Sequence, residues 1–208
     1  MVLRHYGFPE TMWSMQSKMP ISGSQRGFTL IEMMVVLALA LVLLTIGVPS
    51  FNQIIKNNRL IAQANALSGL LASARSEAIT QRAVVTVCGS SNGTACDAQW
   101  SVGWISFLDV NGNAAVDVSD GDTVLKHMNT VPDKVNVALV GATTVRFNSQ
   151  GFAVAGSSGT MRFCDDRGDT HGRALNISAT GRVSVATDTD STPDGIVDDA
   201  GGTNISCP

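Results

Sequence analysis

The spacing of apolar residues changes twice along the chain. From Phe28 to Val48 nearly every residue is apolar and Glu32 is the only charge. At about 1.5 Å per residue such a run covers roughly 30 Å as a helix, the thickness of a bilayer's hydrocarbon core. Beyond Pro49, the apolar residues Phe51, Ile54, Ile55, Ile61, Ala64, Leu67, Leu70, Leu71, Ala74 and Ala78 fall mostly three or four apart with polar residues between them. That period predicts an amphipathic continuation of the helix as far as Arg82. From Ala83 the pattern breaks into short β-rich pieces, AVVTVC, WSVGWISF, TVLKHM, KVNVALV, TTVRFN, GTMRFC, RALNIS and RVSVA, separated by Gly, Asn and Asp. The expected fold is α+β: a long N-terminal membrane-spanning helix packed on an all-β domain of antiparallel sheet. Its segments are a leader at 1–27, a span at 28–48, an amphipathic stretch at 49–82 and a β-rich domain at 83–208 with an acidic C-terminal loop.

The leading segment carries Arg4, Lys18 and Arg26 against Glu10 and has no periodic apolar face. More positive charge precedes the span than directly follows it, where Lys56 and Arg59 stand, so the N-terminus is expected inside and the β-rich domain outside the cytoplasmic membrane. Ala38-Leu39-Ala40 imitates a signal-peptide cleavage site. A cut there would leave Leu41–Val48 as an exposed apolar end, and the run exceeds the usual signal core.

The stretch Arg26-Gly27-Phe28-Thr29-Leu30-Ile31-Glu32 resembles the class III leader junction of type IV pilins and type II secretion pseudopilins. The resemblance implies that a prepilin peptidase cuts after Gly27, that Phe28 is then methylated, and that Pro49 softens the helix. It also gives Glu32 a task. A carboxylate in hydrocarbon costs about 2.5–3.5 kcal/mol on insertion scales, and the new amino group of Phe28 on a neighbouring subunit would pair it. The segment CGSSNGTACDAQWSVGWISFLDVNGN, followed by FNSQGF, RFC and ATGRVS, resembles the GspH/FimT branch of that family over about residues 26 to 185. The implied role is structural: a minor pilin built into a type IV pilus and contributing to its assembly, or alternatively a type II secretion pseudopilin. The implied partners are other pilins or pseudopilins, the peptidase and the inner membrane, crossed once, with the domain periplasmic and later part of an extracellular pilus or periplasmic pseudopilus.

Four cysteines, Cys88, Cys96, Cys164 and Cys207, allow three disulfide pairings in an extracytoplasmic domain. Cys88 with Cys96 and Cys164 with Cys207 are preferred: the first closes a short Gly/Ser/Asn loop and the second ties down the C-terminus. A zinc site would have only His127 and His171 to add, at unsuitable spacing. No nucleophile, zinc-protease or phosphate-loop motif is present. No catalytic residue or enzyme activity is therefore expected, and Asp165-Asp166 beside Arg167 reads as a solvated turn.

Two acidic stretches suit calcium by composition. Asp109 to Asp120 places oxygen-bearing residues at loop positions 1, 3, 5, 9 and 12, but has Ala114 where an EF-hand has Gly. Asp188 to Asp199 resembles Asp-rich calcium repeats, and Asp188, Asp190, Asp194 and Asp198 are the residues that would converge; without a metal, an exposed and tethered acidic loop is expected. Some FimT-like minor pilins are associated with DNA uptake, which makes Arg173 and Arg182 the candidate DNA contacts. The charge argues against that. The chain has 14 Lys+Arg against 17 Asp+Glu, the proposed leader removes more bases than acids, and no Lys or Arg follows Arg182.

Overall fold

The computed structural model describes residues 27–128 and 131–208. Arg4, Glu10, Lys18, Arg26 and the rest of the expected leader before Gly27 lie outside the described residues. Helix α1 spans Leu30–Gln81, 52 residues, and runs on through Pro49. Two compact units divide between Ile46 and Gly47.

In the first unit, every described residue from Gly27 to Ile46 is exposed except the half-buried Ala40. A helix apolar on all faces, with none of them covered by the chain itself, needs an apolar surrounding.

The second unit, Gly47–Pro208, holds the rest of α1 and the strands β1 (Val84–Gly89), β2 (Trp104–Asp109), β3 (Thr123–Met128), β4 (Asn136–Val140), β5 (Val145–Phe147), β6 (Gly159–Cys164), β7 (Arg173–Ile177) and β8 (Val183–Val185). They form two four-stranded sheets, ordered β3-β2-β1-β5 and β4-β6-β7-β8. Every strand pair is antiparallel. Both sheets share one core with the helix. Leu60, Leu67, Leu71 and Ala78 meet Val85, Trp104 and Phe147 of the first sheet and Met161, Phe163 and Ile177 of the second. The three-to-four period therefore marks the buried stripe from Leu67 onward. It fails nearer the start of this unit, where Phe51, Ile54 and Ile61 are exposed, while Leu60, outside the expected stripe, is fully buried.

The helix stops where the backbone turns left-handed at Arg82, φ 54°. The N–H of Ala83 then donates to the carbonyl of Ala78 at 3.3 Å, satisfying one of the orphan carbonyls of the last turn. The WSVGWISF piece begins as a turn rather than a strand. Trp100 and Trp104 are both buried, and the indole N–H of Trp104 donates to the Trp100 carbonyl at 2.7 Å. Gly89 permits this close fold, because a Cβ there would stand 2.6 Å from the Trp100 nitrogen.

Disulfides join Cys88 to Cys96 and Cys164 to Cys207. The loop-closure model assigns such bridges about 2–4 kcal/mol each. The second fastens the C-terminal segment to β6; in that segment residues 189–195 are exposed, while 196–199 and 204–205 are buried or half-buried. Ile205, with Ile196 and Val197, packs against Ala174 of β7 and Ala186, and Asp198 is 2% exposed. Three aliphatic side chains on the back of the second sheet are enough to seat it.

Candidate functional site

Three regions carry the residues singled out by sequence. The first is the start of α1. Phe28, 77% exposed, precedes Thr29, whose hydroxyl accepts the N–H of Glu32 at 3.2 Å, while the Thr29 carbonyl accepts the N–H of Met33. Thr29 is thus the N-cap and Glu32 the third helical residue, the Thr-x-x-Glu spacing of a capping box. Glu32 also sits in the first turn, where the helix dipole favours negative charge. Its place is thus explained in part within one chain, before any neighbour is considered. The pattern stood in the sequence, yet Thr29 was not among the candidate residues. Pro49 removes one hydrogen bond from the helix without ending it.

The second region clamps the later part of α1. Asp165, Asp166 and Arg167, read from sequence as a solvated turn, reach back to the helix instead. The Arg167 guanidinium pairs with Asp165 at 2.7 Å, their side chains being 8% and 5% exposed, and also donates to Gln53 and Asn57 of α1 at 3.1 and 2.9 Å. Lys56 of the helix meets Asp166 at 2.7 Å. Burial opposes ionisation of Asp165, but the Arg167 guanidinium and backbone N–H outweigh it and hold the carboxyl below its ordinary value. The hydrogen bond from Lys56 does the same for Asp166. About five turns further along the helix, Arg75 donates to the carbonyls of Gly151 at 2.9 Å and Thr180 at 3.4 Å. The FNSQGF and ATGRVS pieces thereby meet at one arginine that the sequence reading had passed over. Gly181, φ 74°, has no room for a Cβ against the Gly151 carbonyl.

The third region comprises the two acidic stretches. Asp109 is fully buried; its carboxylate accepts from the Thr86 hydroxyl at 2.7 Å and the N–H groups of Asn113 and Ala114 at 3.1 and 3.0 Å. Asp122 accepts from the N–H groups of Val110 and Asp117 at 2.8 and 2.9 Å. Ala114 takes the left-handed φ of 63° that Gly would adopt more easily. This loop closes on its own backbone. In the later stretch Asp188, Asp190 and Asp194 gather, each offering an oxygen within 4.8 Å of the others. Desolvation and the charges of Asp198, Asp194 and Asp188 push the Asp190 carboxyl up.

Arg173 and Arg182 are not brought together. Leu175 pairs with Val185 and Ile177 with Val183, so the two arginines flank opposite ends of the β7–β8 ladder, roughly 15 Å apart along it at ~3.3 Å per residue. Arg182 instead lines a groove of about 590 Å³ with Asp198 and Asp199, a poor setting for a phosphate. All four cysteines are in disulfides, so none is left as a thiolate ligand for zinc. Among the described histidines, His127 lies close over Gly93 and His171 contacts the Thr170 hydroxyl.

Comparison with known proteins places these regions in a lineage. The family model described as type II transport protein GspH matches residues 63–181. That of the prokaryotic N-terminal methylation motif matches residues 23–48, containing the junction and the apolar run. A fimbrial protein of Pseudomonas aeruginosa is 27% identical over 122 residues, 57% of this chain and 76% of its own. The crystal structure of the type IV minor pilin FimU of Pseudomonas aeruginosa strain PAO1 superposes with a TM-score of 0.50 at 22% identity, covering 62% of this chain and 90% of that one. At that identity the likeness speaks to the fold, a long helix carrying antiparallel sheet.

Proposed function

The chain belongs to the type IV pilin-like GspH family, structural proteins and not enzymes, and from that membership we propose that it is a minor pilin. In this reading it is held in the inner membrane by its N-terminal helix and drawn from there into a type IV pilus beside other pilins. The observation that carries the proposal is the described run from Phe28 to Val48, exposed and apolar on every face, with Glu32 in its first turn. Bilayer lipid satisfies such a surface first, and neighbouring helices satisfy it afterwards. Removal of the leader after Gly27 leaves the amino group of Phe28 as a cation, and Glu32 of an adjacent subunit neutralises it as the helices bundle. In the second unit Phe51 and Ile54, just past Pro49, are exposed as well.

Glu32→Ala and Thr29→Ala separate pairing from capping. In the native host, Glu32→Ala should leave leader cleavage and membrane level intact, as read by intact mass and immunoblot, but remove the protein from sheared filaments by tenfold or more. Thr29→Ala, which weakens only the cap, should reduce incorporation far less. Normal incorporation of Glu32→Ala would end the pairing account, and retention of the residues up to Gly27 in the membrane-purified protein would end the pilin role.

The description of the matching family favours a second reading, a pseudopilin of a type II secretion system. Deletion of the gene decides between them. Loss of surface pili with secretion intact supports the first, and loss of secretion with pili intact supports the second.

A further inference from the structure

Proximity alone says little about Asp188, Asp190 and Asp194, since exposed acidic groups often cluster. What distinguishes this group is the pair of buried acceptors beside it. Asp198 is 2% exposed and its Oδ1 has no donor among the described residues; Asn204 is half-buried, and its Oδ1 atom is shielded without a donor among them too. Both residues are tied directly to the cluster. The other oxygen of Asp198 accepts from the N–H of Thr189 at 2.6 Å and from the Thr189 hydroxyl, and Thr189 lies between two of the clustered aspartates. The amide nitrogen of Asn204 donates to Asp194 at 2.7 Å. A backbone bridge sets Asp198 and Asn204 opposite one another.

Every one of these groups is an oxygen acceptor short of positive charge. A buried carboxylate oxygen without a donor is costly, and water can relieve single oxygens but leaves the mutual repulsion in place. A cation relieves both. Carboxylates and an amide carbonyl, with no thiolate or imidazole, are hard ligands. Their irregular arrangement suits calcium, which accepts six to eight oxygens in flexible geometry, better than magnesium, which demands a near-ideal octahedron and keeps its waters. The Asp188 carboxylate does accept the N–H groups of Asp190 and Gly195, and Asp194 accepts that of Ile196 and the Asn204 amide, but the buried Oδ1 of Asp198 accepts none among the described residues. In the Asp109–Asp122 loop both oxygens of each buried carboxylate have a donor.

We propose that the C-terminal turn is a calcium site, with Asp188, Asp190 and Asp194 as direct ligands and the donor-less oxygens of Asp198 and Asn204 closing it from the buried side. Calcium there links the turn to the back of the second sheet and, through the nearby Cys164–Cys207 bridge, fixes the end of the chain.

The test uses the full chain in detergent micelles, stripped with chelator, and follows calcium by titration calorimetry and thermal unfolding. Two variants accompany it: Asp190→Asn/Asp194→Asn in the proposed site and Asp117→Asn/Asp120→Asn in the other loop. The expected dissociation constant is about 10⁻⁴–10⁻³ M, the range of extracellular calcium modules, with a melting temperature several degrees higher in calcium than in chelator. Asp190→Asn/Asp194→Asn should bind at least tenfold more weakly and, in chelator, melt close to the parent, since the relieved repulsion offsets the one hydrogen bond that Asp194 gives up and no core contact is lost. Asp117→Asn/Asp120→Asn should respond as the parent does. Any of three results overturns the proposal: no binding heat and no shift up to roughly 10 mM calcium, an undiminished response in Asp190→Asn/Asp194→Asn, or an equal shift from magnesium, which would indicate charge screening rather than a site.

Discussion

Two stretches of α1 have the same backbone conformation and opposite surroundings. From Leu30 to Ile46 the side chains are apolar around the whole helix and exposed; from Gly47 to Gln81 a stripe of Leu60, Leu67, Leu70, Leu71, Ala74 and Ala78 is buried and the remaining faces are largely polar. The first stretch is stable only in an environment that the chain does not provide. The second draws its stability from the sheets, as most helices in folded domains do. One element can therefore have each half selected by a different solvent, and a mutation should reveal which solvent it faces.

The largest expected effect uses that contrast directly. Leu67→Ala removes a fully buried side chain from the shared core and should cost about 3–5 kcal/mol, since such sites relax only partly around the cavity. Leu43→Ala removes the same atoms from the exposed first stretch and should leave the domain's unfolding unchanged. Thermal unfolding of both in micelles, followed by circular dichroism, measures the difference. Equal losses would mean that the two stretches do not differ as described.

The next effect concerns what holds the second stretch beyond apolar packing. Arg167→Ala strands the 5%-exposed Asp165 without its guanidinium and takes a partner each from Gln53 and Asn57; a loss of about 3 kcal/mol is expected. The sign of its pH dependence follows from the lowered Asp165 carboxyl. A carboxyl whose folded value lies below its unfolded one contributes stability above the unfolded value, near 3.9, and loses that contribution as pH falls through the folded one. The gap between parent and variant should thus be full at neutral pH and narrow below about pH 4. A constant gap down to pH 2 would assign the loss to packing instead.

Sequence periodicity disclosed which parts are helix and strand because local spacing is enough for that. TVLKHM and GTMRFC coincide with β3 and β6 residue for residue. Periodicity cannot say what covers a stripe: it groups Phe51, Ile54 and Ile61 with Leu67 although the domain leaves them exposed, and it omits the fully buried Leu60. The Asp165–Arg167 turn departs from its sequence pattern for a related reason. Its polar composition is that of a solvated loop, and its partners on the helix lie 110 to 114 residues away in sequence. In the C-terminal segment, what seats Ile196 and Val197 is likewise distant: they pack with Ile205 against Ala174 and Ala186. Contacts between distant residues decide these cases, and a single sequence carries no local mark of them.

The smallest effect concerns the far end of the second stretch. The start of α1 has a polar cap in Thr29, whereas its end relies on a left-handed residue, and that residue is Arg82, φ 54°, rather than glycine. A side chain in this conformation costs roughly 1–2 kcal/mol, because Cβ crowds the following carbonyl. Glycine escapes that crowding but gives back part of the gain through the extra freedom of the unfolded chain. Arg82 is exposed, and among the described residues its side chain has no hydrogen-bond partner to lose. Arg82→Gly should therefore stabilise the domain by about 0.5–1 kcal/mol, and Arg82→Ala, which keeps the Cβ, should not. A rise in melting temperature for Gly alone would show that the second stretch is limited at its end by backbone geometry, although its core is well packed. Equal rises for Gly and Ala would trace the gain to the lost charge, and a fall with Gly would show that the turn depends on the arginine itself.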